Sequence, residues 1–294
     1  MAALTMRRQP CLLSTVMSEA TTDDRVLQFF PLGVPHPRVL SAARIRQFNE
    51  LGYLFPLEVF EPQEVTAMRA YCDDLFAKAV AAGHGSYAIN GWHCHCAGLY
   101  DLSTEPRILD PVQDLLGADL VLWGTHFFLK EPGASKRVSW HQDASYWPLS
   151  PSKTVTVWLA IDDADAGNGA MQVIPRSHLN AQLAYKQSSE EENNVLSQTT
   201  LDAEEQGDPP VTIALRAGQV SLHTDWLIHG SEPNRSSRRR CGLTLRFTAA
   251  DVRALNPDWA TRSVICRGRD TAGHWADIPR PTGERIPAPR RRYG

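Results

Sequence analysis

One short stretch of this sequence places two potential metal ligands side by side. It runs Ser139-Trp140-His141-Gln142-Asp143. In an extended backbone, residues two apart project to the same side, so His141 and Asp143 present a nitrogen and a carboxylate oxygen to one point. That donor pair suits a divalent first-row metal such as iron(II). A histidine and an aspartate at this spacing also occur by chance, so the pair alone does not define a site.

A second histidine makes the metal interpretation stronger. His229 lies 86 residues after Asp143, in a stretch (227–231) that follows a predicted strand. Two imidazoles and one carboxylate on one face form a facial triad, which leaves coordination positions open for a co-substrate and oxygen. The alternative is that His229 is a hydrogen-bonded turn histidine without a ligand role.

Three consecutive arginines follow this histidine. Arg240 stands eleven residues after His229 and begins the stretch RCGLTLRF. A buried arginine binds a carboxylate through two parallel hydrogen bonds. A 2-oxo dicarboxylic acid could therefore chelate the metal at one end and meet this guanidinium at the other. Because Arg238 and Arg239 are adjacent to Arg240, at least one of the three points to solvent, and spacing alone does not choose among them.

The first part of the chain predicts helices that would support such a site. Ser41 can cap a helix that ends at Gly52, and Pro62 can begin a longer helix. A third helix is predicted to follow Thr104-Glu105 and to end at Gly117. The predicted segments are helices over 42–51, 62–82 and 106–116 and an extended segment over 53–60.

From residue 120 onward, short runs of alternating or β-branched residues between turn residues predict strands. These runs occupy residues 120–130, 153–161, 170–175, 211–218, 219–226 and 241–249. Many short strands of this kind are typical of an antiparallel sandwich or barrel. We therefore expect one domain over 41–285, with a helical layer at about 41–118 packed on a mostly β core at about 119–250.

The remaining segments are more polar. Residues 1–40 are expected to be a partly disordered leader, and residues 286–294 a basic tail. Residues 186–208 hold seven acidic residues and one lysine. This segment is too polar for a core and long for a connection, so it is either a lid over the site or a solvated insertion.

The composition excludes several classes of function. The formal net charge is −3, which argues against binding dominated by nucleic acid or an anionic membrane. No stretch approaches the roughly 20 apolar residues that a membrane helix needs. The six cysteines show no CxxC spacing, which in a chain of this length argues against a disulfide scaffold and favours a reducing, cytoplasmic location.

Taken together, the motifs resemble the phytanoyl-CoA dioxygenase family of iron(II)- and 2-oxoglutarate-dependent oxygenases. The resemblance covers roughly residues 41 to 250, and the order and spacing of its motifs are more specific than any one of them. The matching motifs are ELGYLFPLEVFEPQEV (50–65), HQD (141–143), a strand with Trp158 followed by Asn168-Gly169, VIPRSH (173–178), HGS (229–231), and Arg240 followed by Leu243-Thr244 and Phe247.

This resemblance implies a double-stranded β-helix core, a cupin-like jelly roll, with an N-terminal helical layer. It implies that His141, Asp143 and His229 bind iron and that Arg240 binds the distal carboxylate of 2-oxoglutarate. The other implied co-substrate contacts are Ser231, Trp158, Lys130 and His126, although His126 could equally be a core polar group. The reaction would consume oxygen and release succinate and CO2.

The sequence identifies the residues that would contact the substrate less specifically than the metal ligands. Halogenating relatives lack the carboxylate ligand, so Asp143 favours hydroxylation or a related oxidation of a small organic molecule. Trp92, His93, Tyr146 and Trp147 are candidates for lining the substrate pocket, with core packing as the alternative. Two other functions remain open: a non-catalytic jelly-roll metal or ligand-binding protein, and a cupin-like metalloenzyme that does not use 2-oxoglutarate.

Overall fold

The computed structural model describes residues 25–85, 89–189 and 192–289. The first 24 residues of the predicted leader and the last five of the predicted tail lie outside these ranges. Within the described ranges the helices are Ala42–Leu51 (α1), Pro62–Ala81 (α2), Ala97–Ser103 (α3), Pro106–Leu116 (α4) and Pro257–Ala260 (α5). None of these described helices has both the length and the apolar character needed to cross a membrane.

The strands outnumber the helices and carry most of the interior. In chain order they are Tyr53–Glu58 (β1), Leu120–Lys130 (β2), Val138–His141 (β3), Leu149–Ser150 (β4), Thr154–Ala160 (β5), Met171–Val173 (β6), Tyr185–Gln187 (β7), Gln198–Thr200 (β8), Val211–Thr212 (β9), Gln219–Thr224 (β10), His229–Ser231 (β11), Arg240–Ala249 (β12), Arg253–Ala254 (β13) and Val264–Arg267 (β14).

Two antiparallel sheets form the core. The larger has the order β1-β10-β5-β12-β2-β14, and the smaller has the order β3-β11-β6-β9. Trp158 of the larger sheet and Met171 of the smaller one belong to one hydrophobic cluster, so the two sheets face each other. The predicted antiparallel β-sandwich is present.

The larger sheet has two unlike faces because neighbouring strand positions point to opposite sides. On β12, the residues that pack with the helices are apolar: Cys241, Leu243, Leu245 and Phe247. They join Phe48 of α1 and Leu75 of α2 in the main hydrophobic cluster. The alternate positions, which face the interior between the sheets, are Arg240, Gly242, Thr244 and Arg246. Helices thus cover one face and leave the other for polar side chains.

The helix boundaries follow the local signals in the sequence. The Ser41 hydroxyl accepts the backbone N–H of Arg44 at the start of α1. Gly52 ends that helix with φ 87°, in the left-handed region that favours glycine. Helix α4 begins at Pro106 after the N-cap Glu105 and ends before Gly117. Capping chemistry therefore sets these boundaries as predicted.

Two parts of the structure differ from the expected layout. The short helix α3 has no counterpart in the prediction, because seven residues show too little periodicity to recognise. The edges of the larger sheet are β1 and β14, which pair with β10 and β2. Both strands lie outside the predicted core range 119–250, so the sheet draws on more of the chain than the prediction assumed.

The polar segment 186–208 is ordered beside the smaller sheet over its described part. Strands β7 and β8 pair as an antiparallel hairpin. The Asn194 side chain accepts the backbone N–H of Ser139 at 2.9 Å and donates to the Ser139 hydroxyl at 2.7 Å. Ser139 belongs to β3, which also carries His141. The segment therefore packs against the strand that carries a metal ligand, and its role as a lid stays a prediction.

Asp114 attaches the described part of the leader to the helical layer. Its carboxylate, on α4, is 1% exposed. It accepts the backbone N–H groups of Arg38 at 2.7 Å and of Val39 and Leu40 at 2.8 Å. Three backbone donors thus depend on one side chain.

We expect Asp114→Ala to lower the free energy of unfolding by about 3 kcal/mol, because it leaves buried backbone donors without an acceptor. Urea denaturation measures this change. The control is Asp101→Ala, which removes an exposed pair with Arg280 and should lower stability by less than about 1 kcal/mol. Equal effects of the two substitutions would show that Asp114 does not anchor the leader.

Candidate metal and co-substrate site

Strand pairing brings the three predicted metal ligands together. His229 of β11 lies opposite His141 of β3 in the antiparallel register. One donor atom from each of His141, Asp143 and His229 lies within 4.8 Å of the others. The Asp143 carboxylate is 3.6 Å from Nε2 of His141 and 3.9 Å from Nε2 of His229. Both Nε2 atoms and the carboxylate therefore point to one place.

Backbone carbonyls orient both imidazoles. Nδ1 of His141 lies 2.8 Å from the carbonyl oxygen of Ser139, and Nδ1 of His229 lies 3.0 Å from that of Leu227. A proton on Nδ1 satisfies each contact and leaves the Nε2 lone pair free to bind a metal. In the same motif, a Cβ at Gly230 would stand 2.9 Å from the carbonyl oxygen of Val138, so a glycine permits the close approach of β11 to β3.

The protonation states also suit a metal. Burial, together with the neighbouring His141, lowers the pKa of His229 to about 3. Burial would raise the pKa of Asp143, but the adjacent His229 and His141 outweigh it and hold that pKa well below its usual value. A neutral imidazole and an ionised carboxylate are the forms that bind metals. The site is thus ready to bind a divalent cation at neutral pH.

The predicted co-substrate residues gather at one end of the interior face. Lys130 and Arg240 are register partners on β2 and β12. The Lys130 ammonium donates to the Ser231 hydroxyl at 2.8 Å and to the carbonyl oxygen of Glu232. The Arg240 guanidinium lies 5.7 Å from the ring centre of Trp158. These four predicted contacts, Arg240, Lys130, Ser231 and Trp158, are therefore neighbours.

The structure distinguishes among the three adjacent arginines. Arg238 is exposed and pairs with Asp165 at 2.6 Å. Arg239 pairs with Asp162 at 2.7 Å and with Asp73 at 2.6 Å. Arg240 is 3% exposed and faces the interior. It is therefore the one of the three whose position suits a ligand carboxylate.

Tight packing places Trp158 beside Arg240. A Cβ at Gly242, on the same face of β12, would stand 2.0 Å from Cζ2 of Trp158. The indole therefore lies directly over the glycine. His126 has Thr244 as its register partner, on the same interior face. Its ring centre is 4.5 Å from that of Phe128, and its co-substrate contact stays a prediction.

Burial gives Lys130 an unusual acidity. Desolvation, together with the positive charge of Arg240, lowers the pKa of its ammonium to about 7. The group therefore changes its charge near neutral pH, and an anion bound beside it would favour the protonated form.

The four predicted substrate residues separate into two places. The ring centres of Tyr146 and His141 are 6.1 Å apart. The buried Trp147 follows Tyr146 in the chain. His93, by contrast, is fully buried, with Nδ1 3.0 Å from the Thr125 hydroxyl and Nε2 2.9 Å from the Arg262 carbonyl. His126 faces the interior between the sheets, and neighbouring residues of a strand point to opposite sides. Thr125 therefore points to the helical side of β2, away from the triad.

Trp92 packs in the main hydrophobic cluster, and its ring centre is 4.9 Å from that of His84. The structure thus places Tyr146 near His141, with Trp147 next to it in the chain, and places Trp92 and His93 on the helical side of the larger sheet. The substrate role of all four residues stays a prediction.

Two further residues join the site. His223 of β10 has its ring centre 4.9 Å from that of His229, and neither ring nitrogen has a hydrogen-bond partner among the described residues. Arg246 lies near Asp143, whose charge acts on it. Sequence analysis did not single out Arg246. The available signal was its even spacing from Arg240, which gives both the same face of β12.

A β-sandwich that presents a His/Asp/His facial triad beside a buried arginine defines a non-haem metal-dependent oxygenase. The family model that matches is described as phytanoyl-CoA dioxygenase (PhyH), over residues 48–242. This match covers more than half of the chain. The protein therefore belongs to the phytanoyl-CoA dioxygenase family.

Individual relatives agree with this assignment. A probable alpha-ketoglutarate-dependent hypophosphite dioxygenase from Stutzerimonas stutzeri is 29% identical over 54% of this chain and 56% of its own length. A probable phytanoyl-CoA dioxygenase from Caenorhabditis elegans is 24% identical over 77% of this chain and 81% of its own. The chain thus spans about half of the first relative and most of the second.

Solved structures show the same fold. The apo form of ThoJ, described as a non-heme monooxygenase, has a TM-score of 0.71 and is 26% identical over 81% of this chain and 88% of its own. The predicted fold class, a mostly β jelly roll with flanking helices, is confirmed. The predicted family is confirmed, and the three residues predicted to bind iron lie together in the structure.

We expect His141→Ala and His229→Ala each to weaken binding of Fe(II) by more than the 10–100-fold that loss of an outer-shell partner causes. Each substitution removes one of three donors to the ion. Anaerobic equilibrium binding of Fe(II) measures the effect. His36→Gln, which changes an exposed histidine outside the triad, should bind iron as the wild type does. Unchanged affinity in either triad variant would remove that residue from the ligand set.

Proposed function

We propose that this protein is an active iron(II)- and 2-oxoglutarate-dependent dioxygenase that hydroxylates a C–H bond of a small organic molecule, releasing succinate and CO2. The observation that carries the proposal is the convergence of His141, Asp143 and His229 within 4.8 Å, between the two sheets, where Arg240 of the larger sheet also points. A non-catalytic binding protein would not need this combination of metal donors and a buried guanidinium.

The donor set fits iron(II). His141, Asp143 and His229 would hold the ion through two neutral nitrogens and one carboxylate oxygen, a set that leaves positions open on the opposite side. When bound, iron supplies the activation of oxygen that the protein itself cannot perform. The contribution of the chain is to fix the three donors and, at Asp143 and His229, to hold the protonation states that bind a metal.

The co-substrate would lie along the interior face. Arg240 can receive the distal carboxylate of 2-oxoglutarate through its planar pair of N–H groups. Lys130 adds a second positive charge and is held in place by Ser231. Trp158 forms an apolar wall over Gly242 that helps to exclude water from the co-substrate.

The side of the triad near Tyr146 is the proposed place for the substrate. Asp143 supplies the carboxylate ligand, which supports hydroxylation or a related oxidation over halogenation. The five cysteines in the described ranges are free, which supports a reducing, cytoplasmic location. The moderate net charge of −3 supports a small-molecule substrate over a nucleic acid.

We expect the purified protein, with Fe(II), 2-oxoglutarate and oxygen, to form succinate, and His141→Ala to abolish this activity because the iron is lost. Succinate is measured by chromatography with a broad panel of small organic molecules. No succinate from the wild type with any member of the panel would favour the non-catalytic binding protein.

Arg240 separates this function from that of a cupin-like metalloenzyme that does not use 2-oxoglutarate. We expect Arg240→Ala to raise the KM for 2-oxoglutarate about 10- to 100-fold, because a charge-assisted bidentate contact is lost. Arg238→Ala, in the adjacent exposed arginine, should leave the KM unchanged. If the two variants behave alike, Arg240 is not the co-substrate anchor.

The acidity of Lys130 predicts a pH dependence. Its ammonium is charged below its pKa of about 7 and neutral above it. Affinity for the dianionic co-substrate should therefore fall as the pH rises through about 7. Titration of 2-oxoglutarate between pH 6 and 8.5, followed by the metal-to-ligand absorption band under anaerobic conditions, measures this. Lys130→Met should bind more weakly with a flat profile, whereas the exposed control Lys136→Met should follow the wild type.

A further inference from the structure

Arg246 stands on the interior face of β12, at the opposite end from Arg240. The two residues are six positions apart, which corresponds to about 20 Å along a strand. Its register partners are Gly124 of β2 and Thr156 of β5. The side chain lies across Gly124, where a Cβ would be 3.5 Å from Cδ of Arg246. The guanidinium is therefore part of the interior between the two sheets.

This guanidinium has no acceptor in the described part of the chain. Its Nε is buried without a hydrogen-bond partner, and no described carboxylate forms an ion pair with it. The exposed Arg238 and the partly buried Arg239, by contrast, both pair with aspartates. Arg246 is partly exposed between the fully buried Leu245 and Phe247, so it borders open space inside the sandwich.

Aromatic rings hold Arg246 in position. Its guanidinium carbon is 5.0 Å from the ring centre of Trp147 and 5.7 Å from that of Trp123. Cation–π contacts of this kind fix the orientation of the group without using its N–H donors. The hydroxyl of Tyr146, next to Trp147 in the chain, is also buried without a partner. Two kinds of donor near the triad thus lack an acceptor.

The positive charge of Arg246 would lack a counter-charge once a metal is bound. Asp143 is the carboxylate whose charge acts on Arg246, and it is also a proposed metal ligand. When it binds a divalent cation, its charge is shared with the metal and no longer compensates Arg246. A buried charge needs a partner. The distal carboxylate of 2-oxoglutarate is already assigned to Arg240 at the other end of the face.

We propose that Arg246 binds a carboxylate group of the organic substrate, with the Tyr146 hydroxyl as a second donor. The substrate class is then a small organic acid, anchored so that a carbon near its carboxylate faces the triad. This inference rests on the proposed function, because it assigns the metal and the co-substrate to the other residues. Arg246 would determine specificity by rejecting neutral analogues, which leave its donors unpaired.

The experiment compares acids with their matched amides. The full-length protein with Fe(II) and 2-oxoglutarate is titrated anaerobically with hexanoate, 3-phenylpropanoate and their primary amides. Tryptophan fluorescence, which Trp147 and Trp123 can report, and the metal-to-ligand absorption band give the dissociation constants. We expect at least one acid to bind at least about 10-fold more tightly than its amide, a discrimination typical of a charge-assisted hydrogen bond.

Variants then test the residue. Arg246→Gln should abolish the preference for the acid and change the dissociation constant of 2-oxoglutarate by less than about twofold, since the two arginines serve different ligands. Tyr146→Phe should weaken binding of the acid several-fold. Arg238→Gln, a substitution of the same kind in an exposed arginine, should retain the full preference. If Arg246→Gln does not fold, Arg246→Lys and Tyr146→Phe carry the test, and both should reduce the preference.

Three results would overturn the inference. The first is that no acid binds the wild type more tightly than its amide, and the second is that the preference for the acid survives in the folded Arg246 variants. The third is that Arg246→Gln weakens the binding of 2-oxoglutarate at least tenfold, which would assign Arg246 to the co-substrate. Failure of the proposed function appears separately, as a wild type that binds neither iron nor 2-oxoglutarate. The acid and amide titrations are then made on the metal-free protein by fluorescence, where an Arg246-dependent preference would still support the anion site.

Discussion

The antiparallel pairing of β11 with β3 is the contact on which the site depends. It sets His229 opposite His141, and a shift of one residue would turn one imidazole away from the other. Asp143 completes the set because the backbone after β3 turns at once, with the N–H of Ala144 bound to the carbonyl oxygen of Asp225 at 2.9 Å. The three ligands are thus positioned by main-chain hydrogen bonds and depend little on side-chain flexibility.

The space between the two sheets is unusually polar for the interior of a protein. The helical side of the larger sheet is an ordinary apolar core. The space between the sheets, by contrast, contains polar side chains that have no hydrogen-bond partner among the described residues, among them Thr156, Ser221 and His223. Buried polar groups are normally hydrogen-bonded, so such a cluster reduces stability. Here it surrounds the metal ligands, where bound molecules can supply the missing partners. The fold therefore gives up some stability to keep these polar groups beside the metal ligands.

The sequence alone predicts much of the fold and the metal ligands. The helix α1 and the long strand β12 have strong local signals, namely caps and sustained alternation. The triad could be named because the order and spacing of several motifs together resemble one family. Arg246 could not be assigned, since its importance comes from the absence of nearby acceptors, which is a property of the folded interior. The burial of His93 could not be predicted either, because its partners, Thr125 and Arg262, are distant in sequence.

One contact connects the start of the described chain with the metal-binding loop. The Arg25 guanidinium donates to the carbonyl oxygens of Ala144 and Trp147, at 2.9 and 2.7 Å, across 119 and 122 residues. The loop after Asp143 is therefore fixed from two sides, by Asp225 within the sandwich and by Arg25, which precedes α1. Because Ala144 directly follows a metal ligand, a change at Arg25 would act on the metal site from outside the sandwich.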